Sequence, residues 1–250
     1  PYGPVVKDCS EEQLASLKRE LLRIAKEEDA VFVRLDFTPP VSAAMLSKFF
    51  TKAPRATYRS SYFQPRTEWF LGLEKPETEL LADMHKNTRY SIQLAERREI
   101  TAEVVTENFP AYFDAFYLLM EETAKRNGFS LHEREYYRGI FDTLNASYAY
   151  LALAKHGEQV LTVDLIVVYG TVAHYVFSGT SNEERERAPS YSALWKAVQH
   201  AKELGCTHFN FGGVSAEGES HGGWSGLTAF KKKFGGEEVR HAEFFDAVRS

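Results

Sequence analysis

The sequence predicts a mixed α/β protein in which helices cover both faces of a largely antiparallel sheet, and three observations lead there. Apolar residues at helical spacing alternate along the chain with short runs rich in Val, Ile, Tyr and Phe. Three of those runs follow one another between Ser147 and Ser181, with Gly157 and Gly170 at the reversals, the pattern of an antiparallel meander. After them the chain returns to helix, strand, helix and strand.

The elements follow in order. Ser10, Glu11 and Glu12 read as an N-cap with an acidic first turn, and Leu14, Leu17, Leu21, Leu22 and Ile24 continue at helical spacing. Ala30–Phe37 reads as a strand ended by Pro39 and Pro40, a helix is expected over Ser42–Thr51, and Ser60–Leu73 reads as two extended pieces around Pro65. From Pro76 to Ile100 one long charged helix is expected, basic towards its end through Lys86, Arg89, Arg97 and Arg98. Asn108–Phe129 is an amphipathic helix closed by Asn127-Gly128, and His132–Leu144 reads as a second. Beyond the meander come a helix over Ser190–Gly205, a strand in Thr207–Gly213, a lysine-rich segment and a last strand within Glu238–Val248. Two helices, three antiparallel strands, a helix, a strand, a helix and a strand is the order of an acyltransferase-type fold.

The bulk properties narrow the function. A chain of 250 residues that is 44% hydrophobic holds one or two domains. A net charge of −5 argues against general coating of nucleic acid, and leaves room for a local basic groove that grips one RNA end. Cys9 and Cys206 lack metal-ligand spacing and suit a reducing cytoplasm, and the eight histidines form no paired-ligand pattern, so no metal is assigned. No apolar run approaches the roughly 20 residues of a membrane span. The opening PYGPVVKD has no initiator methionine and reads as a turn in mid-domain, so an N-terminal part is expected to be missing.

The chemistry is expected near Thr228–Gly236, TAFKKKFGG, where three lysines between Phe230 and Phe234 put cationic charge beside two aromatic faces. That suits a ribose and its phosphates, although the i, i+4 phenylalanines also fit a solvated helix end with both rings on the core. Lys86 and Arg89 flank Asn87-Thr88 and are candidates for substrate binding; Asp164, in an apolar strand, is either a satisfied structural acid or a base for an attacking amine. A coenzyme A loop is poorly matched: in Arg187–Ala193, RAPSYSA, serines stand where glycines belong and Pro189 removes a backbone donor. There is no nucleophile elbow, triad or Walker loop. Transfer of an activated acyl group to an amine needs none, because it runs on positioning and on stabilising the oxyanion and leaving alkoxide.

Six segments in order, Tyr2–Val6, Gln64–Leu73, His85–Ile100, Tyr175–Gly205, Phe209–Val214 and Phe230–Val239, resemble the Fem family of aminoacyltransferases, which move amino acids from aminoacyl-tRNA to peptidoglycan precursors. The resemblance implies tandem domains with an acyl-CoA N-acyltransferase-like mixed sheet: the remainder of a first, incomplete domain over residues 1–75 and a second over 76–250, whose last strand is a candidate to return to the first. By the same resemblance Phe230 and Lys231 serve the acceptor end of the tRNA and the transfer step. Arg134 with Tyr137 or Arg138 meets the phosphates of a nucleotide-linked or lipid-linked muropeptide, and Tyr175 or Phe177 stands where a tyrosine lines the peptide cavity. Departures from the family pattern are Ser91 for Asn, Glu99 for Gly, Asn210 for Asp, and a long loop before Phe230. No coiled-coil arm is inserted, which limits tRNA contact to the acceptor end. The expectation is a cytoplasmic monomer with no cofactor, no DNA and at most peripheral membrane contact. The alternatives are an acyl-CoA-dependent N-acyltransferase and a non-catalytic muropeptide-binding protein.

Overall fold

The computed structural model describes residues 10–36, 42–53, 65, 67–215, 225–241 and 244–249. The chain divides into two compact units, Pro1–Thr67 with Val239–Ser250, and Glu68–Glu238. The stops expected at Pro39 and Pro40, the piece over 60–64, the segment Tyr2–Val6, Cys9 and the glycine-rich run over 216–224 lie outside the described residues.

In the first unit, α1 (Glu11–Glu27) starts where expected, with the Ser10 hydroxyl accepting from the Gln13 N–H. The next helix is shorter than its pattern: α2 spans Ala43–Leu46, and Thr51–Lys52 is already a strand, β2. Strand β1 (Phe32–Leu35) and β2 flank β10 (Phe245–Val248), all antiparallel, so a strand from the end of the chain sits at the centre of this sheet. Leu14, Leu35, Leu46, Phe50 and Phe245 form its core, and Arg34 donates two hydrogen bonds of 2.8 Å to the Asp246 carboxylate.

The second unit carries seven strands in the order β4-β5-β6-β7-β8-β3-β9. The first of these in the chain, β3 (Thr67–Gly72), runs antiparallel to β8 (His208–Gly213). The expected long helix is two: α3 (Glu77–Asp83) ends at Met84, whose backbone is extended, and His85 caps α4 (Lys86–Arg97) through its Nδ1, which accepts from the Asn87 N–H. A side-chain acceptor before a fresh turn offers the backbone an alternative to continuing the helix. Glu99, at φ 63°, then turns the chain into β4 (Ile100–Val105), an edge strand not expected from the sequence, where the helix is read to Ile100 and nothing is assigned after it.

Helices α5 (Phe113–Asn127) and α6 (Arg134–Thr143) follow, and then the meander β5 (Ala149–His156), β6 (Gln159–Tyr169) and β7 (Val172–Thr180). Its register runs Leu151 opposite Leu165 and Asp164 opposite Ser178. Because successive side chains alternate, one apolar run supplies two cores. Leu151, Leu153, Val163 and Leu165 meet α5 and α6, while Tyr150, Ala152 and Ile166 meet α7 (Pro189–Glu203). Strand β8 follows α7, and α8 (Ser225–Lys232) leads into β9 (Glu237–Arg240) through Gly235 and Gly236. The expected single final strand is thus two, β9 and β10. At Gly236, φ is 96° and a Cβ would overlap the Phe70 carbonyl oxygen, so only glycine brings the chain this close to β3.

Candidate active site

Strands β7 and β8 are parallel neighbours that soon part. Pairing joins Val172, Ala173 and His174 to His208, Phe209 and Asn210, and β7 then continues to Thr180 with no strand partner on that side among the described residues. Beside the gap lies a bulge: Leu165 faces Phe177 while the next residue, Ile166, faces Tyr175, which leaves Val176 over. The bulge puts Tyr175 and Phe177 on opposite faces of the sheet, although strand alternation would place residues two apart together. Tyr175 packs with the α7 core, and Phe177 with the core of α5 and α6. The two alternatives for one tyrosine position therefore face different cores.

The parting is filled from α8. Lys231 is 6% exposed and its Nζ donates to the Gly213 carbonyl at 2.8 Å. Burial pulls its pKa down to about 8, and the nearby Glu68 carboxylate, itself buried, works in the opposite direction. The carbonyl is presented by a tight turn: Gly212 has φ 78°, and its N–H is accepted by Asn210 Oδ1 at 2.7 Å. Asn210 Nδ2 in turn lies 3.2 Å from His174 Nδ1. The half-buried Phe230 ring meets Tyr191 of α7 edge-on at 5.0 Å and Phe234 at 5.3 Å.

The three lysines do not act together, contrary to the concentrated charge that the sequence suggests. At 100° per residue a helix end points them apart. Lys232 lies over the Trp69 ring at 4.9 Å and 3.7 Å from the Glu238 carboxylate, while Lys233 gives its carbonyl to the His85 N–H.

Asp164 is 1% exposed, and its Oδ1 accepts from the Tyr175 hydroxyl at 3.4 Å, while among the described residues none lies within hydrogen-bond geometry of Oδ2, although the Ser178 hydroxyl is near enough to favour the charged form. Burial raises the carboxyl to about 7, an effect that the Ser178 and Tyr175 hydroxyls partly offset. Burial also drives the Tyr175 phenol well above its ordinary range. Nothing in the apolar sequence around Asp164 revealed its tyrosine partner, which comes from the neighbouring strand through the bulge.

The remaining candidates are elsewhere. Arg89 donates to the carbonyls of Ala82 and Met84, closing the end of α3, so its role in the structure is that of a cap; Lys86 is exposed on the first turn of α4. Arg134 and Arg138 both reach Asp114 Oδ1, at 2.6 and 3.2 Å, and lie over the Phe113 ring. Tyr137 is 3% exposed and packs edge-on to Phe177 at 5.3 Å, within the core of α5 and α6. At the start of α7 the Ser190 hydroxyl is 3.2 Å from that of Thr180, and Pro189 at the first position has no N–H to offer an anion. Glu68, His174 and Tyr191 were not singled out from the sequence. The one local sign was the polar Asn210 in an aromatic strand, ahead of two glycines. Among the described residues no cluster of His, Cys, Asp and Glu is suited to a metal ion, and no helix is long and apolar enough to cross a membrane.

Comparison with known proteins adds to this geometry. The family model described as acetyltransferase (GNAT) domain matches residues 82–232. Lipid II:glycine glycyltransferases of Staphylococcus saprophyticus and Staphylococcus aureus are each 23% identical. The first alignment covers 89% of this chain and 69% of the relative, the second 93% and 72%. Among solved structures, FemX superposes with a TM-score of 0.84 at 22% identity, over 98% of this chain and 79% of its own. L-PGS from Bacillus licheniformis does so with 0.64 at 16% identity, over 96% and 74%.

Proposed function

The chain belongs to the acetyltransferase (GNAT) domain family, with relatives of the Fem type, and from that premise we propose that it moves an amino acid from aminoacyl-tRNA to an amine of a peptidoglycan precursor. The observation that carries the reading is Lys231, a lysine buried beside the gap between β7 and β8 and held by one backbone carbonyl. A cation in that position is a donor for a developing alkoxide. At neutral pH it is mostly charged, since its pKa is about 8.

The reaction divides into few parts. The acceptor amine attacks the ester carbonyl, a C–N bond forms, and the C–O bond to the ribose breaks. Lys231 gives a proton to the leaving ribose oxygen, and the proton released by the amine restores it. Asp164, poised near 7 with one oxygen unpaired among the described residues, is the candidate to carry that proton. Phe230 offers a ring against the sugar or terminal base. Arg134 and Arg138 on α6, with Lys86, are the proposed contacts for the precursor's phosphates; Tyr175 bounds the peptide on the α7 face, and Tyr137 and Phe177 back the opposite face as packing. Because the chemistry is positioning and proton transfer, no metal or cofactor is required of the protein.

The test is transfer from a pool of charged tRNAs to lipid-linked and nucleotide-linked muropeptides, with the product identified by mass spectrometry. Lys231→Ala is expected to lower turnover by about a hundredfold or more and leave muropeptide affinity nearly unchanged. The wild-type rate should fall above about pH 8, as the lysine loses its proton. Wild-type turnover in Lys231→Ala would overturn the assignment. Family membership favours one competitor, an acyl-CoA-dependent N-acyltransferase, which predicts that coenzyme A raises the unfolding temperature. Saturable muropeptide binding without product from any donor would mark a non-catalytic binder.

A further inference from the structure

Among the described residues Lys231 Nζ donates its hydrogen bond to the Gly213 carbonyl, and that carbonyl is set by a side chain three residues back on the same strand. The Gly213 carbonyl points at Lys231 Nζ because Gly212 adopts the left-handed conformation just before it. A residue at φ 78° is held there by whatever satisfies its N–H, and here the acceptor is Asn210 Oδ1 at 2.7 Å. Asn210 is itself 3% exposed, and its amide nitrogen lies 3.2 Å from His174 Nδ1, at the last paired position of β7 and β8. The orientation of the amide is then fixed from both ends: oxygen to Gly212, nitrogen to a ring nitrogen that accepts, which leaves the imidazole proton on Nε2.

We propose that Asn210 is the positioning residue of this site, a neutral clamp that ties the last rung between β7 and β8 to the Gly212 turn and thereby seats Lys231 on the Gly213 carbonyl. The inference rests on the transfer reading for its consequence, although the clamp itself does not. It also explains why an amide suits this chain. A carboxylate in its place keeps the acceptor for Gly212 but loses the donor to His174 and brings a negative charge beside the lysine. The charged group that acts on Lys231 is Glu68 from β3, which favours its charge; nearby along the site, burial lowers the pKa of the His174 imidazole on β7 and raises that of the Tyr191 phenol on α7. Lys232 of the same helix is directed over Trp69.

The experiment has two readouts on the full chain. The first is the apparent pKa of the Lys231 ammonium in the free protein, followed by NMR with and without Asn210→Ala; it needs neither tRNA nor precursor. The clamp predicts that removing it lets Nζ reach water, so the value moves up by about one pH unit towards that of an ordinary lysine. The second is transfer, which should fall about tenfold to a hundredfold with muropeptide affinity retained, while its alkaline limb moves up with the pKa. Asn210→Asp, which keeps the Gly212 contact and guards against misfolding, should retain more activity than Asn210→Ala and raise the Lys231 pKa by charge alone. His174→Ala should give a smaller change in the same direction as Asn210→Ala. An unmoved Lys231 pKa in Asn210→Ala, or equal losses in the Ala and Asp variants, overturns the clamp. A moved pKa in a protein that transfers nothing leaves the clamp standing and sinks the transfer reading alone.

Discussion

The two faces of the seven-stranded sheet use the same apolar strands for different ends. Towards α5 and α6 lie Phe113, Phe116, Phe141, Leu151, Leu153 and Leu165, a core with aromatic rings at edge-to-face distances. Towards α7 the same strands place Thr162, Asp164 and Thr180, each at most 8% exposed, with Tyr175 and Ser190 against them. Burying polar groups costs free energy, and the cost is uneven: the hydroxyls find one another, while one oxygen of Asp164 finds no partner among the described residues. Both faces hold the unit together, and the one towards α7 also buries a carboxylate, Asp164, whose protonation is displaced. The difference teaches where to look for chemistry in a sheet that is apolar on both sides.

The sharpest way to break the comparison is to damage the apolar face and ask whether the polar one responds. Gly179 on β7 lies against α5 so closely that an added Cβ would come within 2.8 Å of Leu119 Cβ and of the Met120 backbone nitrogen. Backbone has to move to make room, so Gly179→Ala should destabilise by about 3 kcal/mol in urea unfolding. Its effect should be the same at pH 5 and pH 8, because no titrating group is involved. A pH-dependent loss would mean that the faces are coupled.

Asp164→Asn tests the other face, with an effect that depends on pH. The folded pKa of about 7 lies above the ordinary value of 3.8, so the native state favours the protonated carboxyl. Stability linked to Asp164 is therefore full below about pH 4 and lost as pH rises through 7. An amide cannot ionise. The variant should match wild type near pH 4 and exceed it by up to about 4 kcal/mol at pH 8, less what the amide forfeits in hydrogen bonds. If Asp164 also accepts the amine's proton, the acidic limb of the transfer rate near pH 7 disappears in the variant. Equal stability gains at both pH values would show that burial does not displace this carboxyl.

The layout of this unit was legible because its signals are local. Turn glycines at 157 and 170 and the Asn127-Gly128 cap marked their elements correctly, and the antiparallel pairing of the meander held through β5, β6 and β7. What escaped depends on partners far away in sequence. The break at His85 is made by a side-chain cap and by Arg89 closing α3. Strand β4, unassigned from the sequence, is stabilised by its pairing with β5. At the site, Phe230 and Lys231 were singled out by their motif and by resemblance, while the contacts around them were not legible. The bulge at Val176, which parts Tyr175 from Phe177, has no glycine or proline to announce it, and the clamp through Asn210 and His174 joins two strands across a helix.

A last contrast is between two cations. Lys231 is buried, and its pKa is displaced; Arg134 is 47% exposed on its side chain, 2.6 Å from an Asp114 carboxylate that is 77% exposed. Surface pairs of this kind are worth little, because water already solvates both charges and salt screens what remains. Arg134→Ala should therefore change stability by less than about 0.5 kcal/mol, most of it from lost stacking on Phe113 and Tyr117. If the residue meets the precursor's phosphates, the same variant weakens muropeptide binding with a reduced salt dependence while kcat holds. Two arginines share Asp114, so Arg138→Ala alone should be partly compensated by Arg134, and the double variant should lose more than the sum. Additive losses with no change in salt dependence would mean that the pair is only a lid on the aromatic core.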